Sequence, residues 1–196
     1  PMVAAAVWEQ AQPGEPRPGM SLRLDNPENS PRLLAEPLAS PRQLLDLLDI
    51  GTSDLDAFVD GQPVSAVDQE VLLKVLFRLP QFGRTEVARW LQRKIPWQDL
   101  AISPARHRAS FFLIEGRAKE VRQVHVADGQ PSRWNFDHYY EVVVKLDEQR
   151  QAVVCCRTIP TAWRELPRLN EPCRVAAMFV KVLQSETSPS SLLFAA

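Results

Sequence analysis

The chain is poor in the residues that most enzyme chemistry needs. It holds three cysteines, three histidines and seven glycines in 196 residues. Cys155, Cys156 and Cys173 make no disulfide framework, because an odd count leaves one thiol free and strand neighbours point to opposite faces. In Val153-Val154-Cys155-Cys156 they read as buried thiols, quieted by a raised pKa. His107, His125 and His138 show no HxxxH or HExxH spacing and no CxxC pair accompanies them, so neither a metal nor another cofactor is expected. There is no GxSxG, GxGxxG or GxxxxGK[ST], which removes the familiar nucleophile elbow and phosphate-cradling loops. With no nucleophile set beside a base, the sequence points away from an enzyme.

Two further absences bound the setting. No run reaches the about 18 apolar residues of a membrane span. Charge of either sign is balanced: 23 Lys and Arg against 24 Asp and Glu leave a net charge of −1, so no global pull toward nucleic acid or acidic membrane is expected. The halves differ mildly, with 13 basic against 10 acidic residues from Ala105 onward and 10 against 14 before it.

What the chain has in quantity is proline, 17 residues of it, concentrated early. Pro13, Pro16, Pro18, Pro27, Pro31 and Pro37 lie within residues 1–39, a density that holds neither a helix nor a central strand. That segment is expected to be an extended leader or linker. Before it, Pro1 precedes Met2 and a short apolar stretch, Val3 to Trp8, that reads as the end of a removed export signal or simply a boundary. At the other end, Leu193-Phe194-Ala195-Ala196 stops in mid-strand, which suggests part of a longer protein.

Residues 40–104 carry helical signals. Ser40-Pro41-Arg42-Gln43 offers an N-cap serine, proline at the first helical position and a capping glutamine. Leu44, Leu45, Leu47 and Leu48 come next, with Gly51 as the stop. Ser65 with Asp68 starts a second helix, whose Val67, Val71, Leu72, Val75, Leu76 and Leu79 form an amphipathic stripe that Pro80 ends. A third is expected from Thr85 to Lys94, with Val87, Trp90 and Leu91 inward. Asp54 and Asp56 read as caps and solvated faces. Three short helices make too small a core alone, so they are expected to pack on the C-terminal half of the chain.

Residues 105–196 change period. Phe111 to Ile114 is apolar, Gly116 interrupts it, and Arg117 to Val126 continues as one long strand bent at the glycine. A loop is expected at Asp128-Gly129-Gln130-Pro131-Ser132. Tyr140, Val142, Val144 and Leu146 then alternate with Tyr139, Glu141, Val143 and Lys145. Ala152 to Ile159, a short helical segment from Pro160 to Pro167, Cys173 to Leu183 and a last strand from Leu192 complete the series. The order predicts an α+β protein: a small N-terminal helical subdomain packed on a five-stranded OB-like antiparallel β-barrel.

Phe112-Leu113-Ile114-Glu115-Gly116-Arg117-Ala118 resembles the V-x-V-x-G-x-V first strand common in bacterial OB domains. Tyr139-Tyr140-Glu141, Arg157-Thr158-Ile159-Pro160 and Ala177-Met178-Phe179-Val180-Lys181 are similar to segments of uncharacterised, often membrane-anchored proteins of planctomycete-type bacteria. The likeness covers residues 40–196, and Ala176-Ala177 departs from it where a glycine usually precedes the aromatic. It implies an extracytoplasmic, envelope-associated setting and carries no catalytic residues over.

The best candidate site is a surface. Trp134, Phe136, His138 and Tyr139 cluster before the second strand, with Arg117, Lys119, Arg122 and Arg133 in the same part of the barrel. Aromatic platforms beside cations are what single-stranded nucleic acid or oligosaccharide binding requires. The competing reading has Trp134 and Phe136 plug an open end of the barrel, and His138 beside Asp137 as a loop-edge pair rather than an oriented base. The expectation is a non-enzymatic interaction module that engages a protein partner or other parts of a longer chain. Nucleic-acid or oligosaccharide binding is the alternative.

Overall fold

The structure is a computed structural model and describes residues 40–126, 131–164, 169–183 and 191–196. The proline-rich leader over 1–39 and most of the expected 128–132 loop fall outside those residues.

Helix α1 (Pro41–Leu47) begins at the signal read from sequence: Gln43 N–H donates to the Ser40 hydroxyl at 3.3 Å, and Pro41 fills the first helical position. It ends before Gly51. Asp49 adopts φ 64°, and the Ile50 N–H returns to the Leu45 carbonyl at 2.9 Å. This left-handed helix end satisfies the last carbonyls and tucks Ile50 into the core. Gly51 instead starts α2 (Thr52–Asp56), too short to carry a readable period. Asp54 caps it by accepting the Gly51 N–H at 3.0 Å and pairs with Lys74 at 3.0 Å.

In α3 (Ala66–Arg78) the cap is reciprocal, Ser65 and Asp68 each accepting the other's N–H at 3.1 and 2.8 Å. Val71, Leu72, Val75 and Leu76 are buried as the stripe requires, but Val67 is 59 % exposed. The first turn is oriented by Asp68, which faces inward, and Val67 is left in solvent. Helix α4 (Arg84–Trp90) is shorter than the expected 85–94. The chain leaves it because Gln92 forms a strand-like bridge, its N–H on the Phe111 carbonyl and its carbonyl on the Leu113 N–H, both at 2.9 Å. Two short helices not read from sequence come next, α5 (Trp97–Ile102) and α6 (Pro104–His107). Among the described residues, no helix is long and apolar enough to cross a membrane.

The strands are β1 (Phe111–His125), β2 (His138–Lys145), β3 (Gln151–Cys156), β4 (Glu171–Leu183) and β5 (Ser191–Ala195), with α7 (Pro131–Trp134) between β1 and β2. They close into one five-stranded barrel in the order β1-β2-β3-β5-β4. Four pairings are antiparallel. The β3–β5 pairing is parallel, a departure from the all-antiparallel expectation. Strand alternation divides the apolar residues into two clusters. Phe112, Ile114, Tyr140, Val142, Phe179 and Phe194 fill the barrel interior, together with Trp163 from the 3-10 turn Thr161–Arg164. Phe111, Tyr139, Cys155, Met178, Val180 and Leu193 point outward and join Leu45, Leu72, Leu76 and Phe82 of the helical region. The adjacent cysteines thus serve different cores, Cys155 outside and Cys156 inside.

At Gly116 the backbone of β1 runs close against the end of β2. A Cβ there would lie 2.4 Å from the Lys145 carbonyl oxygen and 2.9 Å from Val144 Cγ1. Backbone cannot yield as a side chain can, so Gly116→Ala is expected to cost about 1–3 kcal/mol by urea denaturation, as overpacking does. The register slips by one residue just beyond, between Ala118 and Glu120. A second bulge, between Phe179 and Lys181 of β4, sends Val180 and Lys181 to the same outer side. Bulges re-aim side chains in this way. Lys181 is thereby brought to Asp68 of α3, Nζ to Oδ2 at 2.8 Å, with both side chains essentially without exposure. The neighbouring loop clips on as well, with the Val182 N–H on Asp60 and the Gly61 N–H on the Val182 carbonyl, both at 2.9 Å.

Candidate functional site

The aromatic and basic residues singled out in the sequence lie in different environments. Trp134 closes α7 and is 4 % exposed, its ring 6.0 Å from Phe77 of α3. Arg133 lies over that ring at 4.6 Å and pairs with Glu70 of α3 at 2.9 Å. Trp134 therefore joins α7 to the helices and does not plug the barrel mouth; Trp163 is the tryptophan that enters the barrel interior. Phe136 is half-buried against the same outer cluster, with Arg157 over its ring at 4.8 Å. Tyr139 is 2 % exposed on the outer face of β2, and burial pushes its hydroxyl far above the ordinary tyrosine pKa. None of these three buried or half-buried rings forms an open stacking platform.

The basic residues are exposed but engaged. Arg122 faces its cross-strand partner Glu141, its Nε 3.1 Å from Oε2. Arg117 donates from Nε to Asn170 Oδ1 at 3.0 Å and from Nη2 to the Asn170 carbonyl at 2.7 Å, and Lys119 donates to the same Oδ1. Arg117 and Lys119 thus converge on a neutral amide just ahead of β4, and Arg122 lies apart from them.

That convergence borders a cleft of about 200 Å³ lined by Lys119, Glu120, Val121, Gln123, Tyr140, Trp163, Arg164 and Leu169. Arg164 sits over the Tyr140 ring at 5.4 Å. The Tyr140 hydroxyl is 3.2 Å from His138 Nε2, and His138 Nδ1 is 2.6 Å from Asp137 Oδ1. The His138 hydrogen bond, helped by Asp137's own backbone N–H, holds the Asp137 carboxyl below its usual range. A carboxylate accepting from Nδ1–H leaves Nε2 to accept from the tyrosine hydroxyl. The sequence signal for this relay is Asp137-His138 with Tyr140 two residues on, since i and i+2 share a strand face. Arg164 and Trp163 have no such signal, because a 3-10 turn between prolines carries no period.

Cys155 and Cys173 are quieted as nucleophiles. Burial raises Cys155 well above the ordinary thiol value, and Cys173 is pushed up to about 11 by burial, partly offset by a hydrogen bond from the backbone of Ala118. Among the described residues, no three His, Cys, Asp or Glu side chains converge to hold a metal ion. No protein-family model, curated protein or solved structure matches the chain.

Proposed function

We propose that the chain is a non-enzymatic interaction module, an OB-like barrel with its own helical cover, serving within a larger envelope-associated protein. The OB-like reading is supported by the strand order, the long first strand with its bulge beyond Gly116 and the helical turn between β3 and β4. The envelope setting rests on the likeness to planctomycete-type proteins seen in the sequence. The observation that carries the functional reading is the fate of the β2–β3 outer face, which in OB barrels receives oligonucleotides and oligosaccharides. Here Tyr139 and Cys155 of that face are buried, Val153 is packed against the same cluster, and all three lie with the helical residues. The surface that would bind a strand has become an internal interface, and the charged outer face of β1 is left for a protein partner or another part of a longer chain.

The test is a titration of labelled oligothymidylate at about 20 mM and about 200 mM salt, conditions across which phosphate-driven affinity falls by orders of magnitude. No saturable binding at micromolar protein is expected at either salt. Micromolar binding that weakens steeply with salt would reinstate the nucleic-acid reading.

A further inference from the structure

We propose that the cleft beside β1 binds a small organic anion, a phosphate ester of sugar-phosphate size, with its charge held between Lys119 and Arg164. Strand β1 pairs with β4 only as far as Ala118 opposite Glu171, yet continues against β2 to His125 opposite His138. Beyond Ala118 one edge of β1 has no strand neighbour among the described residues. The cleft lies along this stretch of β1, with Lys119, Glu120, Val121 and Gln123 in its lining.

The bulge supplies the first cation. Lys119 is the extra residue between Ala118 and Glu120, without a cross-strand partner on β2. Its ammonium is held by Asn170, which also takes Arg117, so a neutral amide gathers two positive groups at the cleft rim. Arg164 supplies a planar guanidinium, fixed over Tyr140. Among the described lining residues these two cations face one carboxylate, Glu120. A phosphate presents several oxygens in different directions and suits a point charge and a planar fork together. Val121, Tyr140 and Leu169 give the remainder of the ligand an apolar wall, and Gln123 a neutral polar contact. A volume of about 200 Å³ is far above the roughly 10–15 Å³ that one water needs. That is room for a single small molecule.

The experiment is an NMR titration of the full chain with ribose 5-phosphate, inorganic phosphate and ribose at constant ionic strength. Ribose 5-phosphate is expected to bind saturably, moving the resonances of Lys119, Gln123 and the Trp163 indole, and ribose to leave them in place. Lys119→Gln and Arg164→Gln alter exposed side chains, so the fold is retained, and each is expected to weaken binding about ten-fold, the effect of one charge-assisted contact. Absence of saturation up to about 10 mM, where affinity is negligible, would overturn the proposal, as would unchanged binding in both variants. Inorganic phosphate binding as tightly as ribose 5-phosphate would overturn the organic half of the site. Neither result bears on the interaction-module reading, which the oligothymidylate titration tests separately.

Discussion

Lys181→Ala is expected to destabilise the protein by about 3–5 kcal/mol in urea denaturation, the loss typical of stranding one member of a buried ion pair. The Lys181 ammonium reaches Asp68 at 2.8 Å and the Pro63 carbonyl at 3.3 Å. Without it Asp68 remains a carboxylate in a site with almost no exposure, left with neutral donors such as the N–H of Ser65 at 2.8 Å and that of Val59 at 3.4 Å. The pair itself contributes less than its disruption costs, because both charges had to leave water. Lys181→Met with Asp68→Asn, which keeps the capping oxygen, is therefore expected to recover most of the loss. A single-variant cost below about 1 kcal/mol would match an exposed pair and contradict this geometry.

The same pair sets a pH dependence. Burial raises the Asp68 pKa, but the Lys181 ammonium and the Ser65 groups outweigh it, and the carboxyl lies below its usual value. A depressed carboxyl stabilises the fold above the unfolded pKa of about 3.9, and that stability is lost as pH falls through the lower folded value. The native chain is accordingly expected to unfold in acid at a higher pH than the doubly neutral variant, which has no such carboxylate to protonate.

Trp134→Ala is expected to cost about 3–5 kcal/mol, as deletion of a buried aromatic does, with no change in oligonucleotide binding. Its ring lies against Phe77 of α3. Arg122→Ala removes a solvent-exposed partner of Glu141 and is expected to change stability by at most about 1 kcal/mol. The contrast separates packing from recognition. Had Trp134 been a stacking residue, its removal would abolish binding and leave stability nearly intact.

Much of this arrangement is legible in the sequence wherever local chemistry decides. Ser40 and Ser65 mark their helices because a hydroxyl beside free N–H groups acts within four residues. Gly116 stands out in its strand because a backbone neighbour leaves no room for a Cβ. The alternation of Tyr139 and Tyr140 separates the outer face of β2 from the inner one. Sequence does not show what covers the outer face. A tyrosine before an acidic strand position reads equally as an exposed platform or as a buried contact, and only the partner surface distinguishes them. Lys181 is illegible for the same reason. Its burial depends on a one-residue bulge in β4 and on Asp68, 113 positions away. The short helices α2, α5 and α6 have five, six and four residues, too few for a period that a pattern could reveal.

Helices and barrel share an apolar core on the outer β2–β3 face, and they are expected to unfold as one cooperative unit. Native-state hydrogen exchange measured against denaturant tests this most directly. Amides of α3 and those of β3 and β4 are expected to merge into one global unfolding isotherm with a common free energy. Exchange of α3 through an opening several kcal/mol below that of the strands would contradict it, because the outer face of the barrel would then be uncovered while the barrel remained folded.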